Sequence, residues 1–240
     1  MIDYTMVLQI SEWLGVAAVT TMASLSLRFK RKPLLFEFPL RESIVAGMLY
    51  LSILVLGFIY YARSPIPSGF LPAIVQRFMV ASICVLPFIA ALFIRRQPPL
   101  SAGIGKSNLS HSLRLALVLV FLAIFLRGKI YSLINGISFE QGQFLIVCLG
   151  VSFLEEGIFR GYIQPRLSAW QGPIPGWIAT SILYTIWQVP RLLSNPASLF
   201  INLTIVFIQG LLLGWVMLKS GHVVAPAIYR TFSEWMFILG

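Results

Sequence analysis

The stretch SFLEEGIFRGYIQPRLSAW, from Ser152 to Trp170, places Glu155, Glu156 and Arg160 inside a segment that is otherwise rich in apolar residues. A charged side chain in the hydrocarbon layer of a membrane is costly, and it is usually found facing other helices or an aqueous cavity. If the surrounding chain crosses a membrane, this stretch therefore predicts a buried polar site within a helical bundle.

The composition predicts a membrane protein. Of the 240 residues, 58% are hydrophobic and only 11% are charged, and the mean hydropathy is +0.87. A soluble domain of this length cannot hide so much apolar surface. The N-terminal stretch MIDYTMVLQISEWLG contains no basic residue, and no cleavage-site pattern follows it. We therefore expect the first apolar segment to be retained and not removed as a signal peptide.

The apolar runs predict the number of helices. A helix needs about 20 apolar residues to cross a bilayer. Runs near that length lie at about 6–27, 43–62, 78–94, 110–126, 144–168, 175–193, 199–218 and 223–239. The sequence therefore predicts an all-α integral membrane protein, a single domain over 1–240 with about eight transmembrane helices. The number falls to seven if the first run lies along the membrane surface.

The basic residues predict the orientation in the membrane. Twelve Lys and Arg residues fall on the side that holds the loops 28–42 and 95–114, and five fall on the opposite side. Because basic residues concentrate in cytoplasmic loops, this asymmetry predicts that both termini lie outside the cytoplasm. A bacterial inner membrane, or another membrane that faces the cytoplasm, fits this pattern. The net charge of +10 is accounted for by these loops, and no nucleic-acid partner is expected.

The charged residues in the last runs are spaced as helical pairs. Glu156 and Arg160 are four residues apart, and so are Arg230 and Glu234, which places each pair on one helical face. Glu155 points about 100° away from Glu156 and has no local partner. One interpretation is a buried ion pair that fixes helix packing. The other adds Glu155 as a general base that activates water.

Helix geometry predicts that Gln188 lies near Glu155. The turn QGPIPG separates the two residues and stands about midway between them. At about 1.5 Å per residue, both side chains lie roughly 25 Å from the turn if the flanking helices are regular and antiparallel. The two side chains are therefore expected to meet.

No residue pattern for a metal or a nucleotide cofactor occurs. The two histidines, His111 and His222, lie outside the charged stretch, and no third ligand at metal-binding spacing accompanies either. Motifs of zinc peptidases, serine hydrolases, phosphate loops and dinucleotide sites are also missing. We expect neither a metal nor a cofactor.

Three motifs in the last part of the chain resemble the CAAX prenyl endoprotease and bacteriocin-processing (CPBP, or Abi) family. The segment EEGIFRGYIQPRL fits its EExxxR motif and LYTIWQVP its FxxxH segment. The segment FIQGLLLGWVMLKSGHVVAPAIYRTFSEW fits its glycine-rich helix, turn and final HxxxN segment. The resemblance implies CPBP-like core helices over 144–240, preceded by variable helices over 1–143.

The resemblance also implies roles for the charged stretch. Members of the family are glutamate-dependent intramembrane peptidases. By resemblance, Glu155 would activate water against a peptide carbonyl, and Glu156 and Arg160 would support it. The family's two histidines would orient water and stabilise the oxyanion, with the final asparagine assisting.

This chain departs from the family at those three later positions. Gln188 stands at the first histidine position, Arg230 at the second and Glu234 at the asparagine position. Glutamine does not titrate and arginine stays protonated, so neither shuttles a proton as histidine does. We expect lost or reduced peptidase activity and a role in binding, as a subunit or scaffold of a membrane complex.

Two other functions stay open. One is an active endopeptidase that cleaves near a prenylated or otherwise hydrophobic C-terminus, with Gln188 orienting water and Arg230 acting as electrophile. The other is a transporter that uses the intramembrane charges as a solute path. The expected partners are membrane lipid, proteins of a membrane complex and, for an active enzyme, a hydrophobic peptide.

Counting charges gives one more expectation. Three glutamates, Glu155, Glu156 and Glu234, face two arginines in the predicted site. Since an uncompensated buried ion is strongly disfavoured, one carboxyl group should carry a proton. Glu155 has no arginine at helical spacing and is the predicted one, so its replacement by glutamine should be tolerated.

Overall fold

The computed structural model describes residues 4–25, 36–64, 66–194 and 198–239, and within them it contains helices and no strand. The helices are α1 (Tyr4–Leu25), α2 (Pro39–Arg63), α3 (Phe70–Ile94), α4 (Leu109–Leu126), α5 (Ile130–Ile134), α6 (Phe139–Glu156), α7 (Gln164–Gln171), α8 (Pro173–Leu192), α9 (Leu199–Ser220) and α10 (Val224–Trp235). The all-α class is confirmed.

Six helical segments of the described chain are long and apolar enough to cross a membrane. They are α1 from Met6, α2, α3, α4, the continuous helix Phe139–Gln171 and α9. The final predicted run, 223–239, is wrong as a spanning helix. Its helix, α10, has 12 residues and covers roughly 18 Å, whereas the hydrocarbon layer is about 30 Å thick. The predicted run 175–193 forms α8, which is also not among the six segments. Integral multi-pass membrane character is confirmed, and eight complete spans are not.

The helix that carries the charged stretch is continuous from α6 to α7. It begins after Ser138, whose Oγ accepts a hydrogen bond from the Gln141 backbone N–H at 3.2 Å, while the Gln141 side chain accepts one from the Ser138 N–H at 2.9 Å. This capping box satisfies two N–H groups that the first helical turn leaves free. The helix ends before Gly172, whose φ of +99° suits glycine. The predicted turn at QGPIPG is confirmed.

The middle of this continuous helix, Gly157–Ile163, has π-helical geometry. π-helical turns are rare and occur often at functional sites. Here the wide turn follows Glu156 directly and contains Arg160. A β-carbon on Gly161 would overlap the carbonyl oxygen of Ala102, so glycine is what lets this backbone pack against the loop that follows α3.

Two apolar clusters meet at the charged stretch. One packs α1, α4, α6, α9 and α10 together and includes Val151. The other packs α2, α3, the π-helical turn and α8 and includes Ile158. Glu155 and Glu156 stand between Val151 and Ile158 on the continuous helix. The charged residues are therefore held at the junction of two apolar cores.

Several basic residues that the sequence assigned to loops are buried instead. Arg166 pairs with Glu42, and Arg127 pairs with Glu12. Arg77 is buried as well. Buried cations carry no information about the membrane sides, so these arginines are excluded from the count of basic residues on each side. The intramembrane Arg160 is excluded as well. The asymmetry becomes ten against three and keeps its direction.

Candidate functional site

Six charged side chains from four elements form one buried network, hereafter the six-charge cluster. Its members are Glu155, Glu156 and Glu234, with Arg77, Arg160 and Arg230. They come from α3, α6, the π-helical turn and α10. The side chains of Glu156, Arg160 and Arg230 are fully buried, and that of Glu234 is 20% exposed.

Glu155 is the most heavily hydrogen-bonded carboxylate of the cluster. Arg77 holds it with two donors, Nε to Oε1 at 2.8 Å and Nη2 to Oε2 at 2.9 Å. Arg230 Nη2 donates to Oε2 at 2.5 Å, and Gln188 Nε2 reaches the same oxygen at 3.4 Å. The predicted meeting of Glu155 and Gln188 is confirmed. Both oxygens of Glu155 already accept from guanidinium groups.

Arg230 joins all three carboxylates. Its Nε donates to Glu234 Oε1 at 2.8 Å, which confirms the predicted pair at i, i+4. Its Nη1 donates to Glu156 Oε1 at 2.8 Å, in addition to the contact with Glu155. The planar fork of an arginine suits this role, because its donors point in several fixed directions. A histidine at this position offers only two ring nitrogens.

Arg160 secures the cluster to α8 and α9. Its Nε lies 3.2 Å from Glu156 Oε2, as the helical spacing predicted. Its Nη2 donates to the backbone oxygen of Gly210 at 3.1 Å. Its guanidinium carbon stands 4.3 Å from the centre of the Tyr184 ring, within the range of a cation–π contact. Tyr184 occupies the aromatic position of the FxxxH segment.

Sequence reasoning missed Arg77. It predicted this apolar run to begin at residue 78 and left Arg77 in a loop, whereas α3 begins at Phe70. Arg77 brings the cluster to three guanidinium groups against three carboxylates. The predicted charge imbalance is therefore wrong, and with it the reason for expecting Glu155 to lack an arginine partner. A helix begun at FLPAIVQR would have placed this arginine within the span.

The space beside Glu155 is small. A cavity of about 10 Å³ lies there, roughly the room that one water molecule needs. Its polar lining comes from Arg77, Glu155, Gln188, Arg191 and Tyr61. A peptide substrate would require these side chains to move apart.

Among the described residues, no group of three or more His, Cys, Asp or Glu side chains is arranged to hold a metal. The free thiol of Cys148 lies 3.7 Å from Glu234 Oε2, but guanidinium donors face both oxygens of that carboxylate. A divalent cation would have to displace arginines that already compensate the same charge.

The fold and the site define a polytopic α-helical membrane protein with a buried carboxylate–guanidinium network at the motif positions of an intramembrane peptidase. Residues 138–236 match the family model described as type II CAAX prenyl endopeptidase Rce1-like. This match confirms the resemblance to the CPBP family over residues 138–236. The match begins at Ser138, the residue that caps the continuous helix. No curated protein and no solved structure matches the chain.

Proposed function

We propose that the chain is a CPBP-type membrane protein that binds other membrane components without hydrolysing peptides, as a subunit or scaffold of a membrane complex. The observation that carries this proposal is that two arginines bind the carboxylate of Glu155. A general base must accept a hydrogen bond from the water that it activates, and guanidinium donors compete with that water for the carboxylate oxygens. Both oxygens of Glu155 are held by Arg77 and Arg230.

The positions around Glu155 support the same conclusion. Neither Gln188 nor Arg230 can accept a proton and return it during a reaction cycle. The neighbouring cavity, about 10 Å³, has no room for a peptide carbonyl beside a water. The cluster instead ties α3, the continuous helix and α10 together. Its retention is explained by packing, because removing one member of a buried charge network strands the others.

The membrane orientation is part of the proposal. The loops 28–42 and 95–114 face the cytoplasm, and the termini lie on the other side. Support comes from the distribution of Lys and Arg, ten against three once the buried arginines are set aside.

A second candidate function is an active glutamic endopeptidase that acts near a lipidated or hydrophobic C-terminus. The water-sized cavity favours it, because Glu155 and Gln188 both line that space. In such an enzyme, Arg230 would stabilise the oxyanion electrostatically. A cleavage assay that compares the wild type with Glu155→Ala separates the two candidates.

The binding role is tested by purifying the tagged full chain from its native membranes in a mild detergent. We expect a second membrane protein in near-stoichiometric amount that comigrates on native gels. An unrelated polytopic protein with the same tag and a similar expression level is the control. A chain that elutes alone, or that carries only proteins also found with the control, would contradict the proposal.

A further inference from the structure

Arg191, near the end of α8, stands beside the six-charge cluster without belonging to it. Its Nε donates to Gln188 Oε1 at 3.2 Å. Arg191 is half-buried, and within the described parts of the chain it makes no ion pair with a carboxylate. A cation so placed has lost part of its hydration without gaining a charged partner.

The charge count around Arg191 leaves room for one anion. The six-charge cluster balances three carboxylates against three guanidinium groups. Three charged groups act on Arg191 electrostatically: Arg77 repels it, while Glu155 and Glu234 favour its charge. Both glutamates are already held by Arg77 and Arg230. Arg191 is thus an excess positive charge.

Arg191 also lines a separate pocket of about 240 Å³ at the ends of α2 and α8. Phe58, Ile66 and Pro190 contribute an apolar wall, and Ser194 adds a hydroxyl group beside the arginine. The pocket is smaller than the 300–1,000 Å³ usual for a drug-sized ligand. It has the size for an anionic group and the first few carbons of an apolar chain.

We propose that this pocket binds the carboxylate end of a single-chain lipid. The carboxylate pairs with the Arg191 guanidinium, the first methylene groups lie against the apolar wall, and the rest of the chain extends into the bilayer. Two features select an amphiphile over a small soluble anion. The wall beside the cation is apolar, and the pocket lies at the C-terminal ends of α2 and α8, of which α2 is long and apolar enough to cross a membrane.

The first test compares three probes on the purified full chain in a neutral detergent at pH 8, with binding followed by native mass spectrometry. Oleate carries the carboxylate and the chain, oleyl alcohol only the chain, and acetate only the carboxylate. We expect oleate to bind at least tenfold more tightly than oleyl alcohol, because a hydrogen bond to a charged group contributes about that factor. Acetate should not displace oleate at equal concentration. Equal binding of oleate and oleyl alcohol would overturn the charge recognition, and displacement by acetate would overturn the role of the chain.

Variants locate the site. Arg191→Gln should lose the preference for oleate over oleyl alcohol, and Arg191→Lys should keep most of it. Arg63→Gln is the matched control, because Arg63 is exposed at the end of α2 and lines a different cavity. An equal loss in the Arg63 and Arg191 variants would place the bound lipid elsewhere. The probe comparison on the wild type decides the charge recognition even if Arg191→Gln does not fold. Neither outcome depends on whether Glu155 is catalytic.

Discussion

Replacing Glu155 by glutamine should destabilise the protein strongly. The substitution keeps the size of the side chain and removes its negative charge. Arg77 then loses the carboxylate that accepts two of its hydrogen bonds, and Arg230 loses one of three carboxylate partners. The cluster changes from three charges of each sign to an excess of one positive charge.

The expected magnitude follows from burial. Breaking a buried ion pair by removing one partner costs about 3–5 kcal/mol. For a chain of this size, each kcal/mol lowers the melting temperature by roughly 2–4 °C, so Glu155→Gln should melt about 6–20 °C below the wild type. Glu234→Gln should cost less, because the side chain of Glu234 is 20% exposed and water can solvate the arginines left beside it.

Melting of the purified proteins in one detergent, followed by intrinsic fluorescence, provides the assay. Glu140→Gln is the control on the same helix, since Glu140 is exposed near the start of α6 and should contribute less than about 1 kcal/mol. The double variant Arg77→Gln/Glu155→Gln removes one charge of each sign. Its loss in free energy of unfolding should be smaller than the sum of the losses in the two single variants, by about 0.5–3 kcal/mol. Substitutions at exposed sites change the melting temperature by no more than about 2 °C. A Glu155→Gln protein that melts within that range of the Glu140→Gln control would refute the ion-pair account.

Three further predictions concern orientation, packing and pH. A cysteine placed at Leu35, in a background without the native cysteines, should not react with an impermeant reagent added to intact cells, and efficient labelling there would reverse the orientation. Gly161→Ala should cost about 1–3 kcal/mol through overlap with Ala102, whereas Gly142→Ala, with nothing within 4 Å, should be neutral or stabilising; equal melting temperatures would contradict the close packing. Burial lowers the pKa of His222, so the unfolded chain takes up its proton more readily. The contribution of His222 to the free energy of unfolding should be fully present above about pH 6.5 and decline as the pH falls below that value. The substitution His222→Gln should weaken this dependence.

The spacing of charged residues within one helix correctly predicted the ion pairs that form within that helix. The pairs Glu156–Arg160 and Arg230–Glu234 are visible as i, i+4 spacings, and both are present in the structure. Counting residues from the turn also placed Gln188 beside Glu155, because the two residues stand at similar distances along the chain from the turn and the flanking helices are antiparallel. The π-helical geometry of Gly157–Ile163 could not be predicted from the spacing of the apolar residues.

Contacts between helices that are far apart along the chain could not be predicted from the sequence. Arg77 reaches Glu155 across 78 positions of the chain, and nothing in the local pattern marks α3 as its neighbour. Arg127 directly follows the run 110–126, and Arg166 stands near the end of the run 144–168, so both were counted on a membrane side. Their carboxylate partners, Glu42 and Glu12, lie 124 and 115 positions away. Pairing of this kind depends on how helices pack, which a single sequence does not encode in its spacing.

The most direct test of the central claim is a cleavage measurement on the intact protein. The full chain in lipid nanodiscs is incubated with farnesylated peptides and with hydrophobic peptides that lack a lipid, and products are quantified by mass spectrometry. The comparison includes Glu155→Ala and protein-free discs, with folded protein matched by size-exclusion chromatography. We predict no product above the protein-free discs with wild type or variant, because guanidinium groups hold both oxygens of Glu155. Product formed by the wild type and lost in folded Glu155→Ala would contradict the binding role and identify an active peptidase.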